Sequence, residues 1–305
     1  MSNQARAGVT ILGSANMDIV FRVERIPRPG ETLLADSAVR FPGGKGLNQA
    51  VAAARAGATT RFIGALGDDE NGASLATTMA DARIAGDLVR RVGAPTGQAF
   101  IVVDGSGENT IIVASGANAT VTGLRPADRD ALDSTAVLLL QLELPLGVVR
   151  SAAAEAHRAG AVVMLNAAPA QELSRELLAD LDYLIVNEHE ACLIGGSQDL
   201  DVASTTLASL VDRVVVTLGS AGSVLFVDGV EAHRIAAPRV TPVDTTGAGD
   251  TFCGAFAAAI AEGADFADAA RFATAAAALS VQAVGAVPSV PERSAIDAAI
   301  DAGRA

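Results

Sequence analysis

The sequence predicts an α/β fold: a mostly parallel sheet with helices on both faces, plus a small separate β-sheet. Three observations predict it. Short apolar runs, such as residues 136–141 and 162–166, alternate with helical segments, and strands apolar throughout belong to a sheet covered on both faces. Strand-like stretches before residue 40 and near residue 100 fall outside that rhythm, so they make a second, smaller sheet. Half of the residues are hydrophobic but only 3% are aromatic, so the core is built from Val, Ile, Leu and Ala, which favours close helix-on-sheet packing.

In chain order, residues 9–12 read as a strand followed at once by Gly13-Ser14-Ala15-Asn16-Met17-Asp18. Residues 19–23 and 33–39 read as strands separated by a turn with Pro27, Pro29 and Gly30. Phe41-Pro42-Gly43-Gly44-Lys45-Gly46 breaks the chain before a helix over 48–56. A strand at 61–65 and a helix at 72–81 open the strand–helix rhythm. Residues 98–103 and 110–113 suit a hairpin around Asp104-Gly105-Ser106-Gly107. A strand at 136–141 and a helix at 146–159 follow, then apolar runs at 162–166, 183–186 and 213–218. Residues 272–291 carry no charge, which raises the membrane question. Thr274, Ser280, Gln282 and Gly285 inside the stretch, and prolines at its end, fit a buried helix and loop better.

A chain of 305 residues accommodates one large α/β domain with an attachment, or two small domains. Its net charge of −13 argues against a nucleic-acid or anionic-membrane partner, and an anionic substrate must be held by local features. Cys192 and Cys253 form no C-x-x-C, so neither a disulfide framework nor a zinc site is indicated. With no apolar signal region at the N-terminus, a cytoplasmic enzyme is the default expectation. His157, His189 and His233 share no spacing that suggests a site.

The stretch richest in chemistry is Val-Asp244-Thr-Thr246-Gly247-Ala248-Gly249-Asp250-Thr-Phe, with an Ala-rich helix expected over 252–261. The glycines let the backbone bend and approach a ligand, and a helix start offers unpaired N–H groups to a phosphate. A carboxylate beside a phosphate cradle repels the anion, which makes sense for a base that deprotonates an attacking hydroxyl. The plainer alternative is that Asp250 caps the helix. Lys45 is the only lysine, and Gly43-Gly44-Lys45-Gly46 lacks the spacing of a P-loop; no G-x-G-x-x-G follows a strand either. Asn16 and Asp18 alone would pass for turn chemistry.

Asp244-Thr-Thr-Gly-Ala-Gly-Asp250 together with Phe-Pro-Gly-Gly-Lys45-Gly-Leu-Asn48 resembles the two signatures of the ribokinase-like carbohydrate kinases. The resemblance runs from Gly13 to about Pro291, and Asn166-Ala167-Ala168-Pro169 departs from it by having Ala where a proline is usual. It implies a single kinase domain over 1–305, with a β-sheet lid formed by about 15–40 and 97–114 that also pairs two subunits into a homodimer. It implies ATP-dependent phosphorylation of a sugar, first of all D-ribose at its 5-hydroxyl. Deoxyribose, a nucleoside or a sugar phosphate stay open, as does a non-catalytic sugar- or nucleotide-binding regulator. Arg22, Arg25 and Arg28 could serve a sugar phosphate, but solvated charges are the simpler reading.

By the same resemblance the sugar falls to Asn16, Met17, Asp18, Gly44, Lys45, Gly46, Asn48, Glu143 (within Gln141-Leu-Glu143-Leu-Pro145) and Asp250, with Asp250 the general base. ATP falls to Asn187, to Thr217, Leu218, Gly219, Ser220, Ala221 and Gly222, to Thr274, and to Gly247, Ala248, Gly249 and Asp250, whose amides form an anion hole. Glu190 helps place Mg2+ indirectly. A monovalent cation, K+, falls to Asp244, Thr246, Ser280, Ala283, Gly285 and Ser289.

Overall fold

The structure is a computed structural model that describes residues 8–105 and 108–304. The chain opens with β1 (Val9–Leu12), β2 (Asn16–Arg22) and β3 (Ser37–Gly43). Helix α1 (Lys45–Arg55) leads to β4 (Thr60–Gly67), α2 (Glu70–Asp81) and β5 (Val89–Val92). Strands β6 (Gly97–Val103) and β7 (Asn109–Ala114) precede α3 (Pro126–Ser134), β8 (Val137–Leu140), α4 (Leu146–Ala159) and β9 (Val162–Asn166). Then come α5 (Arg175–Ala179), β10 (Tyr183–Asn187), α6 (Glu188–Gly195), α7 (Leu200–Ala208) and β11 (Arg213–Thr217). A hairpin of β12 (Ser223–Val227) and β13 (Val230–Ile235) is followed by α8 (Ala248–Ala261), α9 (Phe266–Ser280), α10 (Ala286–Ser289) and α11 (Arg293–Arg304).

The large sheet has nine strands in the order β13-β12-β11-β10-β9-β8-β1-β4-β5. It is parallel from β11 to β5, while β12 and β13 add an antiparallel edge. Alternate side chains leave a strand on opposite faces, and here both faces are buried. Val137 and Leu139 join one core cluster and Leu138 and Leu140 the other; Met164 likewise parts from Val163 and Leu165, and Val215 from Val214 and Val216. The first cluster is closed by α1, α2, α8, α9 and α11, the second by α3, α4, α5, α6 and α7. That two-sided burial is why these strands read as unbroken apolar runs. Strands β5 and β13 carry no such run: β5 holds Arg90 and Arg91 between its valines, and β13 is exposed along all but its last residue.

The small sheet has the order β3-β2-β6-β7, with β2 and β6 parallel and the other pairs antiparallel. Here the structure corrects two expectations. The strand expected at 19–23 begins at Asn16, so Asn16, Met17 and Asp18 lie inside β2, and the strand expected at 33–39 runs instead from Ser37 to Gly43. Pairing decides this. Strand β2 is matched from Arg22↔Ser37 to Asn16↔Gly43, so nothing remains for Leu33 and Leu34 to pair with, and Leu34 is 94% exposed. Pro42 is tolerated because β3 is an edge strand, where a missing N–H costs no ladder bond. The hairpin turn expected at Ser106 and Gly107 lies outside the described residues.

Two helices start earlier than their composition suggests, α1 at Lys45 and α8 at Ala248. They touch at Gly254, where an added Cβ would sit 2.3 Å from the Gln49 carbonyl oxygen and 2.6 Å from the Ala52 Cβ. No helix among the described residues is long and apolar enough to cross a membrane. The contact at Gly254 opposes two tendencies. Helix propensity favours Ala over Gly by about 1 kcal/mol, while overpacking a tight contact costs about 1–3 kcal/mol. Gly254→Ala is therefore expected to destabilise, lowering the urea midpoint at unchanged slope; a raised midpoint would show that α1 and α8 can part at no cost.

Candidate active site

The carboxyl ends of the parallel strands lie along one edge of the large sheet, where α/β folds place ligands. That edge gathers Ser14 after β1, Gln141 and Glu143 after β8, Asn166 ending β9, Asn187 ending β10 and Thr217 ending β11. The starts of α1 and α8 supply the rest.

Asp250 is the third residue of α8, behind an N-cap at Gly247 with φ 75°. Its carboxylate does not cap the helix, which rules out the plainer reading of this residue. Instead Oδ2 accepts from Asn48 Nδ2 and Oδ1 from Gln49 Nε2, both at 2.9 Å. A side chain at 247 would meet the Ala286 Cβ at 2.7 Å as well as the left-handed backbone, so glycine is required there. Of the amides at the helix start, that of Ala248 is spent on the Thr245 carbonyl. The amides of Gly247, Gly249 and Asp250 have no partner among the described residues and remain for an anion. The expected four-amide hole is thus a three-amide one.

Around Asp250 stand Asp18, Lys45, Glu143 and Glu190, four carboxylates to a single ammonium in all. Burial pushes Asp18 up to about 7, helped by the charges of Glu143 and Asp250 and opposed by Lys45. Burial pulls the Lys45 ammonium down, but Asp250, Glu143 and Glu190 outweigh it and hold its pKa above the ordinary lysine value. Glu143 accepts from the Ser14 hydroxyl and from the Lys45 amide, tying the end of β8 to the start of α1. Asn16 Oδ1 accepts from Asn118 Nδ2 at 2.8 Å. Asn48 Oδ1 is buried without a partner among the described residues, which suits a hydroxyl donor. Asp18, Lys45, Asn48, Glu143 and Asp250 are thereby linked by contact or field at one place, with Asn16 two residues before Asp18 on the same side of β2.

Met17 does not join them. It alternates with Asn16 and Asp18 along β2, and its side chain belongs to the core. Gly46 packs against Gly13 and Ser14, and Gly44 against Ala15 and Asn16, each with no room for a side chain, so both shape the helix start.

Two cavities adjoin. The smaller, about 230 Å³, is walled by Lys45, Asn166, Asn187, Glu190, Asp250 and Cys253 among others. The larger, about 750 Å³, runs past Thr217, Gly219, Ser220, Gly222, Phe252 and Thr274 to Arg239 and Val281. Thr217, Thr245, Ala248 and Gly249 line both. The larger cavity thus opens into a smaller one that ends at Asp250 and the start of α8. Leu218 and Ala221 line neither: Leu218 packs against the core of the opposite face, and the Ala221 amide closes a tight turn onto the Leu218 carbonyl.

Glu190 and Asn187 cap α6 reciprocally, each amide donating to the other's side chain at 2.8 Å. Burial raises the Glu190 pKa, and the Asn187 amide and Lys45 only partly offset it. Among the described residues no group of three or more His, Cys, Asp or Glu gathers to hold a metal, so a divalent ion here would rely on phosphates and water beside Glu190. The loop at Asp244 is stitched to residues 281–285: Val243 and Asp244 donate to the Val281 carbonyl, and Gly285 donates to Asp244 Oδ2 at 2.8 Å. Burial would raise Asp244, but bonds from Thr246 and Gly285 take it below the ordinary carboxylate value. An ionised carboxylate in this loop supplies the negative charge that a monovalent cation would need. Ser280 and Ser289 spend their hydroxyls on the Ala277 and Ala286 carbonyls, and Ala283 could offer only backbone.

Sequence reasoning overlooked Gln49, Asn118, Gln141 and Asn166, all buried. The one available signal was a polar pair, Asn48-Gln49, in a helix otherwise rich in Ala and Val.

Residues 6–293 match the pfkB family carbohydrate kinase model. A ribokinase of Staphylococcus aureus (strain COL) is 40% identical over 269 residues, 84% of this chain and 87% of its own. One of Haemophilus influenzae is 41% identical over 270 residues, covering 86% and 88%. The solved structure of Arabidopsis thaliana ribokinase complexed with ribose and ATP superposes with a TM-score of 0.90 at 36% identity, over 97% of this chain and 99% of that one. An anion-ready helix start beside a buried carboxylate, on this sheet and with these relatives, has one consistent description: the chain belongs to the pfkB family of carbohydrate kinases.

Proposed function

We propose that this chain transfers the γ-phosphoryl group of ATP to the 5-hydroxyl of D-ribose, giving ribose 5-phosphate and ADP. The observation that carries the reading is Asp250, set between unpaired amides and the polar group of Asn16, Asp18, Lys45, Asn48 and Glu143. Relatives near 40% identity bear the name ribokinase, and the Arabidopsis structure holds both ribose and ATP, which supports the choice of sugar and donor. Asp250 takes the hydroxyl proton as the sugar oxygen forms its bond to phosphorus, and the bond to ADP breaks. The amides of Gly247, Gly249 and Asp250, with Lys45, offset charge on the transferred group. Mg2+, when bound, neutralises the phosphates; Glu190 and Asn187 would stand behind it. K+ near Asp244 would fix the loop that presents the amides. Of the three arginines that could serve a sugar phosphate, Arg25 is engaged by Glu31 on the surface.

ADP release across ribose, deoxyribose, fructose, fructose phosphate and nucleosides tests this reading, with the parent and Asp250→Asn in potassium and in a bulky organic cation. Ribose is expected to lead, potassium to raise turnover, and Asn to cut it by about 10²–10⁴-fold. Asn turns an N–H toward one of the two amides that serve Asp250, so a loss of about 1–3 kcal/mol of stability should accompany it. A folded, ATP-binding Asp250→Asn that turns over within a few-fold of the parent would remove the base; a nucleoside outrunning ribose would replace the sugar.

Asp18 gives the sugar pocket a pH signature. Its folded pKa is raised to about 7, so below the unfolded value of 3.8 it costs nothing. As pH rises from there the unfolded chain loses the proton first, stability falls, and the full cost holds above about 7. Ligand-free Asp18→Asn should gain Tm over the parent progressively from about pH 4 to about pH 8 while losing sugar affinity. A gap in Tm that stays constant with pH would contradict the assignment.

The small sheet we read as a lid over the sugar. Strands β3 and β7 expose Val39, Ile111 and Val113, which the register places on one side of the sheet, an apolar face suited to a second copy of the chain. Light scattering should give the mass of two chains at assay concentration, and the mass of one would leave that face without its partner.

A further inference from the structure

Gln49 follows Asn48 on α1 and is completely buried. A buried carboxamide is costly unless its polar atoms are bonded, and here all of them are. Nε2 donates to Asp250 Oδ1 at 2.9 Å and to Asn166 Oδ1 at 3.0 Å, and Oε1 accepts from Gln141 Nε2 at 2.7 Å. The pattern admits one orientation: turned over, the amide would set its oxygen against two oxygens and its N–H groups against another donor. Asn166 is anchored in turn to the Ile185 carbonyl.

We infer that Gln49 is a positioning residue for Asp250, holding the rotation of its carboxylate from the edge of the large sheet. Asn48 and Gln49 take one lone pair on each oxygen of Asp250, which fixes the plane of the carboxylate and leaves its remaining lone pairs for the substrate hydroxyl. Consecutive helix residues point about 100° apart, so the pair clasps the carboxylate from two directions. Gln141 and Asn166 stand at the ends of β8 and β9, so the aim of the base is tied to central strands of the large sheet. Packing alone would be served by Leu or Met; what those cannot supply is a donor of fixed direction to Asp250.

The inference rests on Asp250 being the base, so Asp250→Asn is measured first, and a retained rate there defeats that reading independently. Gln49→Met is then made in the parent and in Asp250→Asn. In the parent kcat should fall by about 10–100-fold, the scale of a misplacement near 1 Å, with KM for sugar and ATP within about twofold. In Asp250→Asn the same change should cost less than about twofold, since residues acting as a unit are not additive. Equal losses in both backgrounds, a loss confined to KM, or an unchanged kcat would overturn the inference. If Gln49→Met does not fold, Gln141→Met removes the donor to Gln49 while keeping both bonds to Asp250. It should then cost about 3–10-fold in kcat in the parent only; no loss, or the same loss in both backgrounds, overturns the inference equally.

Discussion

The contact between α1 and α8 sets the geometry of the site. Gly254 lets the helices approach until its α-carbon faces the Gln49 backbone, with no room for even a methyl group. Asp250 lies one turn earlier on the same face of α8, and that closeness lets the short side chain of Asn48 and the longer one of Gln49 reach its two oxygens. The start of α1 brings Lys45 to the same place, since Lys45, Asn48 and Gln49 share a helix face. One close helix crossing thus holds the Asp250 carboxylate, the lysine and the amides together.

Electrostatics then divides the work. With a net charge of −13 and four carboxylates about one lysine, the site has no positive field to draw in a polyphosphate. In the proposed function backbone does that instead: amides at the start of α8 carry partial positive charge without side-chain entropy to lose. The carboxylates are left for hydroxyl groups, as an acidic, partly dehydrated pocket suits a neutral polyol better than an anion. The Cys253 thiol in the same wall is pushed well up by burial and the nearby Asp250 and Glu190, so it is inert filling.

Much of this was legible in the chain. Continuous apolar runs alternating with helical segments gave the parallel strands, and the glycine-rich stretches at 43–46 and 247–249 marked the breaks ahead of α1 and α8, though not the residues at which these helices start. Edge strands were less legible. Strands β5 and β13 bury little, so they lack an apolar run, and the bounds of β3 follow from its partner β2 rather than from its own residues.

The sequence by itself determined the layered α/β architecture and the presence of a second sheet and singled out Asp250 as a candidate, because these rest on local pattern and on residue types that few other roles require. Tertiary structure alone decided what Asp250 touches and which way Met17 points. It also made Gln49, Asn118, Gln141 and Asn166 a buried amide system, through bonds between residues more than ninety positions apart. A hydrogen bond of that span leaves no trace in local spacing. A buried Gln in an Ala-rich helix looks like any solvated one until the partner that satisfies it is in place.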